Sequence, residues 1–254
     1  MGAATDLALA LDRSAFARAL GLEPDLWQAK LLRSAAPRVL LNCCRQSGKS
    51  TVAALLALHR AVYHPASLVL VLAPALRQSQ ELFTKIAGFY ASLESPVAPL
   101  ARRRLSLELE NESRIVTLPG SERTIRGFSG ASLLIVDEAA RVADELYFAV
   151  RPMLAVSEGS LMMLSTPYGK RGVFFEEWGQ GKGWERYEVP AQECPRIPAS
   201  FLNEEKRALP GRVFRQEYEC SFEDTEDQVF SFEDVHGALD PGVTPLFGSE
   251  GRAS

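Results

Sequence analysis

The feature that most constrains the fold of this chain is the sequence Gly48-Lys49-Ser50. It follows an apolar run at residues 38–44, which is typical of a buried strand, and it opens a helical pattern over residues 49–63. In this order, the backbone N–H groups of the loop and of the helix N-terminus converge on a phosphate group. The sequence therefore predicts a phosphate-binding loop in an α/β domain.

The loop supplies the groups that a magnesium nucleotide requires. Lys49 would place a positive charge on the β- and γ-phosphates, and the hydroxyl of Ser50 would bind Mg²⁺. Cys43 stands where the usual pattern has its first glycine, so the motif is incomplete in the strict sense. The residues that we expect to contact ATP here are Cys43, Cys44, Arg45, Gln46, Ser47, Gly48, Lys49, Ser50 and Thr51.

A carboxylate pair follows a second apolar run. Residues 133–136 are Leu-Leu-Ile-Val, and Asp137 and Glu138 come directly after them. The pair therefore lies at the carboxyl end of a buried strand, where ligands of open α/β sheets bind. We expect Asp137 to join Ser50 in the Mg²⁺ shell, and we expect Glu138 to orient and polarise the attacking water.

Apolar runs alternate with helical patterns along most of the chain. The apolar runs lie at residues 38–44, 67–73, 133–136 and 161–164, and residues 184–189 are predicted as a fifth strand. The helical patterns between them lie at residues 49–63, 78–93 and 144–150. Strands without polar alternation, separated by helices, indicate a mainly parallel sheet that is covered on both faces. Residues 106–109 and 114–118 are predicted to form a hairpin.

The two ends of the chain differ in character. Residues 6–20 have the spacing of one helix that Gly21 ends, and a turn at residues 23–28 opens a second helix through Arg33. Residues 196–223 become helical again, which suggests a small lid subdomain beside a core of residues 1–195. Residues 224–254 are acidic and then rich in Gly, Pro and Ser, as expected for a linker.

Composition and charge exclude several classes of protein. The net charge of −4 argues against a surface that binds nucleic acid everywhere, although a local basic face is compatible with it. The cysteines, at positions 43, 44, 194 and 220, fit no zinc-site spacing and are expected to be reduced thiols. No apolar run approaches the roughly 18 residues of a membrane span. We expect a soluble protein of the cytoplasm, without a membrane partner.

These motifs together resemble the ATPase domain of the large terminase subunit of tailed double-stranded DNA viruses. Residues 45–50 (Arg-Gln-Ser-Gly-Lys-Ser) are similar to that family's arginine-bearing phosphate loop, and residues 137–140 (Asp-Glu-Ala-Ala) resemble its acidic box. The other matching segments are Leu72-Ala73-Pro74 with Gln78 and Gln80, Ser165-Thr166-Pro167 with Gly169, and residues 214–218. The resemblance covers almost the whole sequence.

The resemblance implies a fold and several residue roles. The fold would be an α/β P-loop NTPase of the RecA-like, additional-strand catalytic-glutamate class, with a small helical lid. Trp27 and Gln28 would recognise the adenine base, although such a pair on an amphipathic helix is more often core plus surface. Ser165 and Thr166 would sense the γ-phosphate and couple its loss to the rest of the domain; a strand end before a proline turn is the alternative.

The resemblance also bears on which arginine completes the catalytic set. Arg126 resembles the residue that supplies an arginine finger to the neighbouring subunit, where a guanidinium neutralises charge on the transferring phosphoryl group. Arg123 and the run at residues 102–104 compete for that role. Arg45 is a second candidate, which could act in cis on the phosphates or contact the lid. The expected catalytic residues are thus Lys49, Glu138, Arg126 and Arg45.

The function implied by the resemblance is ATP hydrolysis that drives double-stranded DNA into a viral procapsid. A homo-oligomeric ring would grip the phosphate backbone without reading sequence, and its partners would be the portal and the small terminase subunit. Complete family members continue into a ribonuclease-H-like nuclease domain. Because this chain ends near the expected linker, we expect no DNA cleavage by this chain alone.

Two other functions remain open on the sequence. A helicase-like or remodelling ATPase would share the acidic box and the Ala-Pro segment, but such a helicase needs a second motor domain for which this length leaves no room. A degenerate P-loop protein that only binds nucleotide is the second alternative. The intact set of Lys49, Ser50, Asp137 and Glu138 argues against it.

Overall fold

A computed structural model of the 254-residue chain describes residues 2–93, 97–120, 127–224 and 237–238. The chain divides into one compact unit, Met1–Glu223, and a second unit, Asp224–Ser254. This division falls at the residue where the sequence places the start of the linker. All elements given below belong to the first unit.

The described residues form one eight-stranded sheet with the order β3-β4-β5-β2-β6-β7-β1-β8. The strands are β1 Arg38–Cys43, β2 Leu68–Ala73, β3 Pro99–Arg103, β4 Ser106–Leu109, β5 Arg114–Pro119, β6 Ala131–Asp137, β7 Ser160–Ser165 and β8 Glu185–Val189. Every pairing from β5 to β8 in this order is parallel, whereas β4 is antiparallel to both of its neighbours. The prediction of a mainly parallel sheet is therefore confirmed, as is the β4–β5 hairpin.

The position of β7 decides the class of the sheet. It pairs with β1 on one side, from Arg38↔Leu161 to Asn42↔Ser165, and with β6 on the other. The strand before the phosphate loop and the strand before Asp137 are thus separated by one additional strand. This arrangement is the additional-strand class that the sequence analysis expected.

Helices cover both faces of the sheet. Those in the described residues are α1 Ala3–Leu11, α2 Arg13–Ala19, α3 Leu26–Arg33, α4 Lys49–Tyr63, α5 Leu76–Ala91, α6 Asp144–Val150, α7 Gly172–Gly179, α8 Ala199–Ala208 and α9 Gly211–Tyr218. Alternate residues of each central strand point to opposite faces. Along β2, Val69 and Val71 pack with α4 and α5, while Leu70 and Leu72 pack in a separate cluster with residues of α6 and α7. The two apolar clusters explain why the strands lack polar alternation.

Two features of the chain differ from the sequence prediction. The single helix expected at residues 6–20 is two helices, because Asp12 leaves the helical conformation (φ −117°, ψ 100°) and its carboxylate accepts a hydrogen bond from Ser14 N–H at 2.8 Å. Strand β3 was not predicted at all. Its residues are mostly exposed and end in arginines, so they show neither an apolar run nor an alternating pattern.

The region predicted to be a lid contains α8 and α9. Leu202 of α8, with Phe214 and Tyr218 of α9, belongs to the same apolar cluster as α4 and β1. These helices are therefore packed on the sheet domain rather than separated from it, and their function as a moving lid stays a prediction. In the described part of the chain, no helix combines the length and the apolar character that crossing a membrane requires.

Candidate nucleotide-binding site

The loop between β1 and α4 has the backbone conformation of a tight anion-binding turn. Gln46 (φ 62°) and Gly48 (φ 88°) both adopt left-handed conformations, and α4 begins at Lys49. A Cβ atom on Gly48 would lie 2.8 Å from Gln28 Nε2 and 3.1 Å from Arg196 Nη2. Glycine is required here both by the positive φ angle and by these close approaches.

The structure brings Lys49 and Glu138 together. Lys49 Nζ lies 3.2 Å from Glu138 Oε1 and donates a hydrogen bond to Thr166 Oγ1 at 3.1 Å. Lys49 is buried, while Glu138 is partly exposed at the carboxyl end of β6. Glu138 is itself in a left-handed conformation (φ 50°), which is costly for a residue with a side chain and is concentrated at functional sites.

Ser50 and Asp137 form the second pair of the site. The Ser50 hydroxyl donates to the Asp137 carboxylate, 3.2 Å from Oδ2 and 3.4 Å from Oδ1. Burial and then the charge of Glu138 raise the pKa of the Asp137 carboxyl to about 6, against the opposing effects of Lys49 and of the Ser50 hydrogen bond. The pair is therefore an oxygen-rich, desolvated point that favours a nearby cation.

These two oxygens fit a shared Mg²⁺ ion. Two neighbouring ligands of an octahedral Mg²⁺ at 2.0–2.1 Å lie about 2.9 Å apart. The separation of 3.2 Å between Ser50 Oγ and Asp137 Oδ2 is close to that value. No cluster of three or more His, Cys, Asp or Glu side chains that could hold a metal occurs among the described residues. An ion at this point would thus depend on phosphate and water oxygens for its other ligands.

Ser165 and Thr166 contact both of the principal residues. Ser165 Oγ accepts a hydrogen bond from Ala140 N–H at 3.2 Å and lies 3.4 Å from Glu138 Oε2. Thr166 accepts the hydrogen bond from Lys49. Both residues are buried at the carboxyl end of β7, between the ends of β1 and β6. The strand order therefore accounts for their position beside the carboxylate and the ammonium.

Two arginines tie the phosphate loop to later parts of the chain. Arg45 Nε lies 3.1 Å from Glu217 Oε2 of α9, and the Arg45 backbone N–H donates to the Glu217 carbonyl. Arg196 Nη2 donates to the Ser47 carbonyl at 2.6 Å, and Arg196 Nη1 pairs with the Asp25 carboxylate at 2.7 Å. The loop is thus connected to the region predicted as a lid and to the start of α3.

Trp27 and Gln28 are neighbours on α3 but have different surroundings. Gln28 is buried, and its Oε1 accepts a hydrogen bond from Asp25 N–H, while its Nε2 faces Gly48. Trp27 packs in the apolar cluster with 8% of its surface exposed, and its indole N–H has no hydrogen-bond partner among the described residues. Gln28 therefore touches the loop, whereas Trp27 is a core residue in this structure. Adenine recognition by the pair stays a prediction.

The remaining sequence-predicted residues are placed as follows. Cys43, Cys44 and Ser47 are buried, and Thr51 lies in the first turn of α4. Arg126 and its competitor Arg123 lie outside the described residues, so the arginine-finger prediction rests on the sequence alone. The four cysteines are free thiols, with the sulfur atoms of Cys44 and Cys194 3.6 Å apart.

Sequence reasoning missed Arg196, Asp25 and Glu217. Arg196 and Asp25 belong to no motif, and Glu217 lies in the family-like segment 214–218, to which no role at the loop was given; the contact between Arg196 and Ser47 joins residues that are 149 positions apart. Such contacts follow from the tertiary fold and leave no local pattern. The only sequence signal is the position of Arg196 just before a helical segment, which by itself indicates nothing about the loop.

The chain matches a family model along most of its length. Residues 40–236 match the family described as terminase large subunit, T4likevirus-type, N-terminal. The chain is 30% identical to the large terminase subunit of Thermus phage G20c, over 85% of this chain and 52% of that protein. It is 26% identical to the large terminase subunit of Escherichia phage T5, over 77% of this chain and 45% of that protein. The chain thus spans about half the length of the curated relatives that it matches.

Solved structures share the fold. The large terminase ATPase domain of Thermus phage P74-26 superposes with a TM-score of 0.70 at 23% identity, covering 82% of this chain and 97% of that domain. The large terminase of the thermophilic bacteriophage D6E, solved in complex with ADP, gives a TM-score of 0.65 at 11% identity, covering 78% of this chain and 54% of that one. The P-loop NTPase fold expected from the sequence is therefore confirmed.

Proposed function

This chain belongs to the family of terminase large-subunit N-terminal domains, and on that basis we propose that it hydrolyses ATP to move double-stranded DNA into a viral procapsid. One observation carries the enzymatic part of this proposal. Lys49 Nζ lies 3.2 Å from Glu138 Oε1, and Ser50 Oγ lies 3.2 Å from Asp137 Oδ2. A phosphate-binding cation and a carboxylate able to direct water thus occupy one edge of the sheet.

We propose that the loop of residues 43–51 holds the phosphates of ATP. Backbone N–H groups of the loop and of the first turn of α4 would bind the phosphate oxygens. The Lys49 ammonium, which is buried, would place its charge on the β- and γ-phosphates. Two structures of the D6E large terminase, one in complex with ADP and one in complex with ATP-γ-S, support a nucleotide at this site.

Glu138 is the proposed catalytic base or water-positioning residue. One of its carboxylate oxygens contacts Lys49 and the other lies against the Ser165 hydroxyl, so the orientation of the carboxylate is set from both sides. Such a carboxylate can accept a hydrogen bond from water and aim its lone pair in line with the terminal phosphate. Catalysis in this reaction depends on this positioning and on charge stabilisation.

Ser50 and Asp137 would hold Mg²⁺. When bound, this ion would neutralise charge on the phosphate oxygens. The protein's part is to present one hydroxyl and one carboxylate oxygen at a fixed separation, in a buried setting where water competes poorly.

We infer that loss of the γ-phosphate is passed to the rest of the domain by Ser165 and Thr166. Their hydroxyls touch Glu138 and Lys49, so movement of either catalytic side chain changes their hydrogen bonds. Residues 196–223 are the proposed lid, because Arg45 and Arg196 connect this region directly to the phosphate loop. Residues 1–195 would then form the ATPase core and residues 224–254 a linker.

The DNA-translocating part of the proposal rests on the family. We propose a homo-oligomeric ring on the DNA backbone, with Arg126 or Arg45 completing a neighbouring or the same active site. The exposed fraction of the Arg45 side chain, 68%, supports its availability to phosphates or to a second subunit. The portal and the small terminase subunit are the proposed partners during packaging, in the cytoplasm of the host cell.

Steady-state hydrolysis with and without DNA tests the function. We expect the chain to hydrolyse ATP, to be stimulated by blunt duplex DNA and not to separate the strands of a forked duplex. Mixing Arg126→Ala with Glu138→Gln subunits should partly restore turnover if the arginine acts in trans. Strand separation by the chain would instead favour a helicase, and binding without hydrolysis would reject the motor.

A further inference from the structure

A second cavity lies at the edge of the sheet opposite to the nucleotide site. Its walls come from α2, from the end of α3, from the last turns of α4 and from the amino-terminal ends of β1, β6 and β7. Its three basic side chains are Arg13, His59 and Arg60, and its apolar walls include Leu31, Leu56 and Met162. We refer to this cavity as the arginine pocket. No motif of the sequence and no step of the proposed reaction uses it.

The arginine pocket collects positive charge without a carboxylate. Arg13 Nη1 donates one hydrogen bond, to the Ser34 carbonyl at 2.9 Å, and the side chain of Arg60 makes no hydrogen bond or ion pair with any described residue. The carboxylate of Asp12, the residue that precedes α2, instead faces Arg18 at 3.7 Å. Both pocket arginines are partly buried. Their guanidinium groups therefore lose hydration without gaining an opposite charge.

The titration of the basic groups agrees with this geometry. Burial lowers the pKa of both Arg13 and Arg60, and the charge of Arg60 lowers the pKa of Arg13 further. Burial also lowers the pKa of His59 to about 4, with a contribution from Arg13, although hydrogen bonding to Leu9 opposes it. The two guanidinium groups repel each other in a desolvated setting, and an anion bound between them would relieve that repulsion.

We propose that the arginine pocket binds a carboxylate carried next to an apolar group on a segment of a partner protein. Two guanidinium groups match carboxylate oxygens with paired, charge-assisted hydrogen bonds. The apolar walls distinguish this ligand from the backbone of a DNA duplex, whose phosphates are flanked by sugars and by further phosphates. A carboxylate beside an aliphatic or aromatic side chain uses both the charge and the walls of the pocket.

Methyl NMR of the nucleotide-free chain tests this directly. The chain has four methionines, and Met162 lies in the pocket wall, so its ¹³C-labelled methyl group reports on occupancy. Hexanoate, a carboxylate on an aliphatic tail, is the probe, and hexanamide is its neutral analogue. We expect hexanoate to shift the Met162 signal in a saturable manner and hexanamide to bind about tenfold or more weakly, which corresponds to about 1.4 kcal/mol.

Variants of Arg60 separate binding from folding. Because the Arg60 side chain has no hydrogen-bond or ion-pair partner among the described residues, Arg60→Gln removes no internal polar contact, and its melting temperature should equal or exceed that of the parent chain. Its affinity for hexanoate should fall about tenfold or more, whereas Arg60→Lys should retain part of it. Arg77→Gln, an exposed arginine paired with Glu81 on α5, is the matched control and should bind as the parent does.

Three results would overturn the proposal. Equal affinity for hexanoate and hexanamide would show that the charge is irrelevant. Inorganic phosphate competing as well as hexanoate would show that the apolar walls are irrelevant. A shift of the Met162 signal by a short DNA duplex that displaces hexanoate in the parent chain, and that is absent when the duplex is added to Arg60→Gln, would make nucleic-acid phosphate the ligand. None of these outcomes depends on ATP hydrolysis, so this proposal and the proposed function fail separately.

Discussion

Lys49 Nζ lies 3.2 Å from Glu138 Oε1, although the two residues are 89 positions apart in the chain and follow two strands, β1 and β6, that are not neighbours in the sheet. The strand between those two, β7, contributes Thr166 and Ser165 to the same point. The carboxyl ends of three parallel strands thus assemble a cation, a carboxylate and two hydroxyls. This convergence is the structural basis of the predictions that follow.

The conformation of Gly48 predicts that the phosphate loop does not tolerate a side chain at this position. Gly48→Ala should abolish measurable ATP binding. The alanine would have to adopt the positive φ angle of this position, and its methyl group would collide with Gln28 and Arg196. Gly88→Ala is the matched control, since Gly88 is an exposed helical residue with open space around its Cβ position. The control should bind ATP as the parent chain does. Its free energy of unfolding should be up to about 1 kcal/mol higher than that of the parent, because alanine is the better helix former. Equal ATP binding by both variants in calorimetry would contradict this account of the loop.

Arg196 is expected to support nucleotide binding by holding the phosphate loop. Arg196→Gln should weaken ATP binding about tenfold, equivalent to about 1.4 kcal/mol, because the Ser47 carbonyl loses a charged donor and Asp25 loses its partner. Arg215→Gln removes another carboxylate-paired arginine, but one whose partner is Glu223 rather than the loop. Fluorescent-nucleotide titration should leave that control unchanged. A similar loss in both variants would mean that general charge, and not the loop contact, is responsible.

The proposed binding of Mg²⁺ by Ser50 predicts how ATP hydrolysis in a Ser50 variant depends on the magnesium concentration. Ser50→Ala should raise the Mg²⁺ concentration needed for half-maximal hydrolysis by roughly tenfold or more, since one of two oxygen ligands from the protein is removed. Ser92→Ala, an exposed serine at the end of α5, serves as the control and should show the parent's dependence. A magnesium titration of hydrolysis makes the comparison. Identical midpoints for Ser50→Ala and the parent would remove Ser50 from the metal site.

The lowered pKa of His59 predicts how the free energy of unfolding depends on pH. Its folded-state pKa of about 4 lies below the usual value of 6.5, so the unfolded chain binds this proton more readily. The stability due to neutral His59 is therefore complete above about pH 6.5 and is lost as the pH falls towards 4, by up to about 3 kcal/mol. His59→Gln, which keeps an N–H donor for the Leu9 carbonyl, should lose less stability between pH 7 and 5 than the parent.

The control for this pH effect is the neighbouring histidine. His64 is exposed, and burial and the nearby arginines lower its pKa less strongly than that of His59. Denaturant unfolding at each pH should therefore show His64→Gln following the parent more closely than His59→Gln does. Parallel pH profiles for the parent and His59→Gln would show that the buried imidazole does not titrate as described.

The parts of the fold that could be predicted from sequence are those with a local signal. The apolar runs of β1, β2, β6 and β7 indicate buried strands, because both faces of the sheet are covered. The Gly-Lys-Ser sequence predicts the strand that precedes the phosphate loop and the helix that follows it. Strand β3 has no such signal, since it is exposed and basic. The break at Asp12 depends on one capping hydrogen bond that competes with a continuous helical pattern.

The same distinction applies to the sites. Lys49, Ser50, Asp137 and Glu138 stand in motifs, so their proximity could be expected from the topology of a parallel sheet. Arg196 and the arginine pocket could not, because they depend on which distant segments pack together. Arg13 and Arg60 lie 47 positions apart on different helices, and only the docking of α2 on α4 brings them to one cavity.

The most direct test of the central claim is to measure ATP binding and ATP hydrolysis in Glu138→Gln. The substitution keeps the size of the side chain and removes the charge that activates water. The account predicts that hydrolysis falls by about a hundredfold or more while ATP binds at least as tightly as in the parent chain. Hydrolysis at the parental rate in Glu138→Gln would contradict the assignment of this glutamate, and with it the proposed active site.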